Sequence, residues 1–166
     1  PSPYYGRIAQ YHPDLENIKE AFTERTIALL GGLATKADEL GVTLVLRNEY
    51  WSLFGGERIL TLADALPDTV KLDLDTASLF VAGISPTSFL AAHIERIGSV
   101  HLTDTSFVDT QEVWKTPNPQ FPSNQATQVF RDPGTGSVDL ADITLLLDRL
   151  NYRGPITCSA RQTRDP

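Results

Sequence analysis

The 166-residue sequence contains no methionine, one cysteine and three histidines, and its apolar stretches are only a few residues long. Each scarcity excludes something. Runs that short fall well below the ~20 apolar residues that cross a bilayer, so no membrane partner is expected. The lone Cys158 cannot close an internal disulfide or build a Cys-rich zinc site, which fits a reducing compartment. Pro1-Ser2-Pro3 has neither the basic start nor the apolar middle of a secretory signal, so the expected location is cytoplasmic. Methionine is missing at position 1 as well, and we therefore expect that residues upstream are absent from this sequence or were processed away. Basic residues are also in short supply: 14 Lys and Arg stand against 21 Asp and Glu, a net charge of −7. A surface of that sign repels a phosphate backbone, and no basic run offsets it, so nucleic acid is not an expected partner.

What is present is enough apolar side chain, 41 % of residues, for one globular core. We read residues 1–166 as a single domain. Four β-branched runs read as strands: Val42 to Glu49, Val70 to Thr76, Val100 to Asp104 and Pro155 to Ala160. Gly41, Gly98 and Gly154 precede three of them, as helix C-caps or loop residues at helix-to-strand turns. Between the strands lie amphipathic helices. A long one opens at Pro13 and Asp14 with Leu15, Ile18, Phe22, Leu29, Leu33, Ala37 and Leu40 on one stripe, and Gly31-Gly32 predicts a kink or break in it. A second spans Glu57 to Leu66, a third starts at Ser85-Pro86 and ends near Ile97, and a fourth starts at Asp139 and buries Leu140, Ile143, Leu147 and Leu150. The first three strands are evenly spaced, whereas the connection to the last is nearly twice as long. Its excess, residues 105–137, is rich in Pro, Gln, Asn and Thr yet carries Trp114, Phe121 and Phe130. Such a segment is a lid, a subunit-contact arm or a mobile surface loop.

Four βα units without antiparallel hairpins leave an open doubly wound sheet or part of an eight-stranded parallel barrel. No strand-to-helix turn carries the glycine-rich phosphate fingerprint of dinucleotide binders, which disfavours the first. The C-terminal ends of the strands are polar. Alternation puts Arg47 with Glu49, Asp73 with Asp75 and Ser159 with Arg161, while the third strand adds His101 with Asp104 just beyond. Carboxylates from two strands and an imidazole from the next can converge on a divalent cation such as Mn²⁺, Mg²⁺, Co²⁺ or Zn²⁺.

These segments resemble the xylose-isomerase-like TIM barrels, which include sugar-phosphate isomerases and epimerases, ketose 3-epimerases and inosose dehydratases, with the endonuclease IV group as relatives. The resemblance is carried by GVTLVLRNEYW, VKLDLDTASLFVAGISP, RIGSVHLTD, and DPGTGSVDL with NYRGPIT, and runs from Thr35 onward. In order they are similar to the family's fifth to eighth strands. The resemblance thus implies an α/β protein, a parallel (β/α)8 TIM barrel of which this chain supplies the last four βα units. Family members hold their metal with Glu, Asp, His and Glu from four strands, so the resemblance makes Asp75 and His101 metal ligands. Arg47, Ser78 and Ser159 stand where Glu, His and Glu are usual. Glu49, on the same face as Arg47 and nearer the mouth, can supply the missing carboxylate.

Each assignment has an ordinary structural counterpart. Asp75 is a metal ligand or a cap after its strand, His101 a ligand or a hydrogen-bonded core histidine, and Glu49 a ligand, a general base or a solvated surface group. Asp73 orients His101 or Lys71, or is satisfied by other neighbours. Arg47 is a salt-bridged replacement for the cation or an anchor for a substrate oxyanion. Arg161 and Arg164 reach the same mouth or are merely solvated. Gly134 and Gly136 make a turn before the last helix or, less simply, a phosphate nest. His12 and His93 carry no assigned chemistry.

The activity implied is a divalent-metal-dependent isomerase, epimerase or dehydratase acting on a sugar, sugar phosphate or cyclitol ketone. The metal would polarise the carbonyl and Glu49 would remove the adjacent proton. Arg47, Asp104, Arg161 and Trp114 are the expected substrate contacts, and the Trp114 to Phe130 segment the closing element. The rival is a degenerate barrel that binds a sugar-like ligand without metal chemistry. An abasic-site nuclease is disfavoured by three histidines and the acidic balance. Half a barrel leaves two raw sheet edges, so a homo-oligomer or a missing N-terminal half is the expected partner.

Overall fold

The computed structural model of the chain describes residues 15–50, 52–112 and 129–160. Helix α1 (Leu15–Glu39) leads into strand β1 (Val45–Arg47), helix α2 (Arg58–Asp64) into β2 (Lys71–Asp75), and helices α3 (Thr76–Val81) and α4 (Pro86–His93) into β3 (Ile97–Leu102). A two-residue strand β4 (Asp104–Thr105), its partner β5 (Phe130–Arg131), helix α5 (Leu140–Arg149) and β6 (Ile156–Cys158) complete the order. The sheet is parallel with order β1-β2-β3-β6, as consecutive βα units that each return to the same side of the sheet produce.

The core lies between this sheet and its helices. Leu46, Leu72, Leu74, Ile97 and Val100 from the strands pack with Ile59, Leu62, Leu90, Ile143 and Leu147 from α2, α4 and α5. Ser85 caps α4 by accepting Ser88 N–H, with Pro86 at the first helical position, and Asp139 caps α5 through Asp142 N–H. Three of these strands and three of the helices fall where the sequence places them, while β3 starts three residues before the expected Val100 and ends at Leu102.

Four expectations change. First, α1 runs unbroken through Gly31-Gly32, and its buried line is Phe22, Ile27, Leu30 and Ala34. Leu29, Leu33 and Leu40 are instead 65 %, 48 % and 68 % exposed. Second, α3 follows β2 without a loop, because Asp75 is both the last strand residue and the helix cap. Third, the long connection starts and ends in an antiparallel pair, Asp104 opposite Arg131 and Thr105 opposite Phe130. Around it Tyr50, Val81 and Val129 form a second small core with Phe107 and Phe130 packed against it. Fourth, Gly98 lies inside β3 rather than before it.

That glycine sets the geometry of everything above it. Between Leu72 and Asp73 the register slips, so Leu72 pairs with Ile97 but Asp73 with Ser99 and Asp75 with His101. The extra residue is Gly98, where a Cβ would stand 2.6 Å from Lys71 Cβ and 2.9 Å from Val45 Cγ1. Ile97 and Val100 both face the helices, and Ser99 and His101 both face Asp73 and Asp75.

Candidate functional site

Three neighbouring strands bring Arg47, Asp73 and His101 to one point at the C-terminal end of the sheet. Arg47 and Asp73 are register partners on β1 and β2. The Arg47 Nε and Nη2 both lie 2.7 Å from Asp73 Oδ2. The other carboxylate oxygen, Oδ1, accepts from Ser99 Oγ at 2.5 Å and faces His101 Nδ1 at 2.8 Å. Burial pushes the Asp73 pKa upward, but the hydrogen bonds from Ser99, Arg47 and His101 outweigh it and hold the carboxyl below its ordinary value. Arg47 Nη2 also lies 2.8 Å from His101 Nε2 and 3.0 Å from Nδ1. In the neutral ring, Nδ1–H donates to the Asp73 carboxylate, which leaves Nε2 as the acceptor that faces the guanidinium.

Asp75 is built into the scaffold instead. It is fully buried, and its Oδ1 accepts from Ser78 N–H at 2.8 Å and Thr103 Oγ1 at 2.9 Å. Its own N–H donates to Asn48 Oδ1 at 2.6 Å, and its carbonyl accepts from Asn48 Nδ2 at 3.1 Å. Thr76 Oγ1 in turn donates to the Thr103 carbonyl at 2.6 Å and accepts from Thr103 N–H at 2.9 Å. Asn48 thereby ties the end of β1 to β2, and Thr103 ties the end of β3 to α3. Of the two readings of Asp75, the cap is the one this geometry realises.

A divalent ion does not fit this donor set. It would need the His101 lone pair, an Asp75 oxygen and the Glu49 carboxylate together. Asp75 and His101 are register partners, yet Asp75 is turned to the α3 terminus and the Arg47 guanidinium faces the His101 ring. Among the described residues no three His, Cys, Asp or Glu side chains come together to hold a metal ion. The expected ligands Glu49, Asp75 and His101 are thus not assembled. Glu49 is half-buried just past β1, where its carbonyl accepts from Ser52 N–H at 3.0 Å and opens a turn.

Asp104 also departs from expectation. It is buried at the base of the long connection, and its oxygens accept four backbone N–H groups: Thr105 and Val138 on Oδ1 at 2.8 and 3.1 Å, Gly134 and Gly136 on Oδ2 at 2.8 and 2.9 Å. A carboxylate so fully engaged has no capacity for a substrate. The glycine turn is a nest, but its anion is this side chain. Gly134 adopts φ +88°, and a Cβ on Gly136 would overlap the Asp104 carboxylate.

Ser159 follows β6 half-buried, its N–H donating to the Leu102 carbonyl at 3.2 Å. Cys158 is exposed. His93 packs against Phe89 with ring centroids 4.6 Å apart. Trp114, Arg161, Arg164, Phe121 and His12, with the middle of the proposed lid, lie outside the described residues. Residue-by-residue reading missed Ser99, Asn48 and Thr103. The first carried a signal, since it sits two residues before His101 on one strand. The other two act through hydrogen bonds between strand ends, which sequence spacing does not encode.

Among the described residues no helix is long and apolar enough to cross a membrane. Comparison with known proteins gives a consistent picture. A family profile described as xylose isomerase-like TIM barrel matches residues 5–165. An inosose dehydratase of Geobacillus kaustophilus is 30 % identical over 106 residues, 64 % of this chain and 33 % of the relative. The chain therefore spans about a third of the length of that curated relative. The D-psicose 3-epimerase of Clostridium cellulolyticum, solved with D-tagatose, superposes with a TM-score of 0.62 at 15 % identity, over 87 % of this chain and 43 % of the epimerase. The IolI protein, solved with a bound zinc atom, gives 0.62 at 18 % identity over 87 % and 49 %.

Proposed function

The chain belongs to the xylose isomerase-like TIM barrel family, and from that premise we propose that it forms half of a site for a sugar or cyclitol at the C-terminal mouth of the barrel. The chemistry is removal of a proton beside a carbonyl, leading to isomerisation, epimerisation or dehydration. The observation that carries this reading is the convergence of Arg47, Asp73 and His101 from three adjacent strands on the face where parallel barrels hold their ligands.

In this reading Asp73 is the fixed point that holds Arg47 and His101 in place. The guanidinium donates to the carbonyl oxygen of the ligand, and Glu49, just past the end of β1, takes the adjacent C–H proton. The C–H pair becomes a C=C bond and the carbonyl π pair moves to its oxygen, which gives an enediolate. Return of the proton to the neighbouring carbon isomerises, return to the opposite face epimerises, and loss of a β-hydroxyl dehydrates. Arg161 and Trp114 keep their proposed role as substrate contacts, and a metal-dependent version of the reaction is set aside because the donors are not assembled. The remaining strands of the barrel come from further residues of the same polypeptide or from a second copy, since among the described residues β1 and β6 each have only one strand neighbour in the sheet.

The test uses the full protein with ketoses, sugar phosphates and inososes in D₂O. Deuterium entering the carbon next to the carbonyl, followed by proton NMR, is the expected result. Binding without exchange would favour the second reading, a sugar-binding barrel without catalysis, for which Arg47 and Ser159 at positions usually carboxylic are the supporting observation. No binding across the panel overturns both.

A further inference from the structure

We infer that the Arg47 guanidinium is the resident cation of this mouth, fixed where a divalent ion would otherwise act, and that it recognises an uncharged polyhydroxy carbonyl compound through Nη1. The inference rests on the ligand class proposed above and adds to it the group that replaces the metal.

Three observations carry it. Asp73 grips the guanidinium through Nε and Nη2, and Nη2 also reaches the His101 ring. Both N–H groups of Nη1 are left without a partner among the described residues, on a side chain that is 38 % exposed. Such a head is held rigidly on one side and open on the other. The charges of Arg47 and Asp73 cancel, so the open side offers two directed donors without a surplus charge that would select an anion. A carbonyl or hydroxyl oxygen matches that better than a carboxylate or phosphate. An incoming divalent ion would meet a permanent positive charge at the ring nitrogen it needs, because arginine does not lose its proton.

The experiment titrates Mn²⁺ into the full protein and follows paramagnetic broadening of the His101 ring signals. Wild type is expected to keep those signals sharp, while Arg47→Glu, or the shorter, uncharged Arg47→Gln if the first does not fold, is expected to lose them. Broadening in wild type overturns the inference. So does a folded variant that stays as indifferent to Mn²⁺ as wild type, since the guanidinium would then not be what keeps the ion out. These readouts need no sugar, so they stand even if the ligand class is wrong. Where a neutral sugar or cyclitol binds, its affinity is expected to survive exhaustive chelation and to fall at least tenfold in Arg47→Gln. Affinity that is lost on chelation and restored by Mn²⁺, Mg²⁺ or Co²⁺ overturns the inference while leaving the sugar-binding reading intact.

Discussion

Arg47 and Asp73 stand opposite each other in the β1–β2 ladder, and two nitrogens of the guanidinium close on a single carboxylate oxygen at 2.7 Å. The second oxygen is held by Ser99 and His101, so one buried acid organises groups from three strands.

Replacing that acid by its amide leaves a guanidinium without its counter-charge. Asp73→Asn is expected to destabilise the protein by about 2–4 kcal/mol, read from urea denaturation. A loss below about 0.5 kcal/mol would show that the pair is a surface ion pair in energetic terms.

The same acid predicts an acid limb. Its native pKa is depressed, so its contribution is complete above the unfolded value of about 3.9 and disappears as pH falls below that, through the lower native value. Wild type is expected to lose stability in that window, and Asp73→Asn to lose less over the same range. Parallel pH profiles for the two proteins would contradict this.

Asp104→Ala removes the acceptor of four backbone donors and should cost about 3 kcal/mol or more, because orphaned N–H groups in a buried turn are expensive. Limited proteolysis should cut faster within residues 105–137. If Asp104 were a ligand contact instead, binding would fall with melting temperature and proteolysis unchanged.

Ser78 offers the opposite sign. Its hydroxyl is buried with no hydrogen-bond partner among the described residues. Ser78→Ala should leave stability unchanged or raise it by about 1 kcal/mol, measured by thermal melting. Marked destabilisation would mean that the hydroxyl has a partner such as an ordered water.

Gly98→Ala tests the strand irregularity. The added methyl meets Lys71 Cβ and Val45 Cγ1 from the two strands beside it, so a loss of about 1–3 kcal/mol is expected, with shifted NMR signals for Ser99 and His101. Unchanged signals would show that the ladder tolerates a side chain there.

Much of this was readable from the residues. Alternation placed Asp73 with Asp75 on one face of β2, and the Arg47 alternative of a salt-bridged replacement for a cation describes the contact that forms. The same alternation could not tell a cap from a ligand at Asp75, because both uses want an acid at a strand end, and only the Ser78 and Thr103 hydrogen bonds decide it. Helix α3 escaped notice because it is six residues long and begins at the last strand residue. The stripe on α1 was misplaced for another reason. Its leucines at 29, 33 and 40 fit a helical spacing as well as the buried set does, and spacing alone does not say which apolar line faces the sheet.

The irregularity at Gly98 gives ladder phase a chemical meaning. Were the ladder to run on without a slip, with Gly98 opposite Asp73, Val100 and Leu102 would turn to the face of Asp73 and Asp75, and the imidazole would be driven among the leucines under the helices. Every side chain would still be present in the sequence, yet the mouth would be oily and the interior polar. The single unpaired residue between Ile97 and Ser99 therefore decides, with no other change, which side chains the strand offers to a ligand.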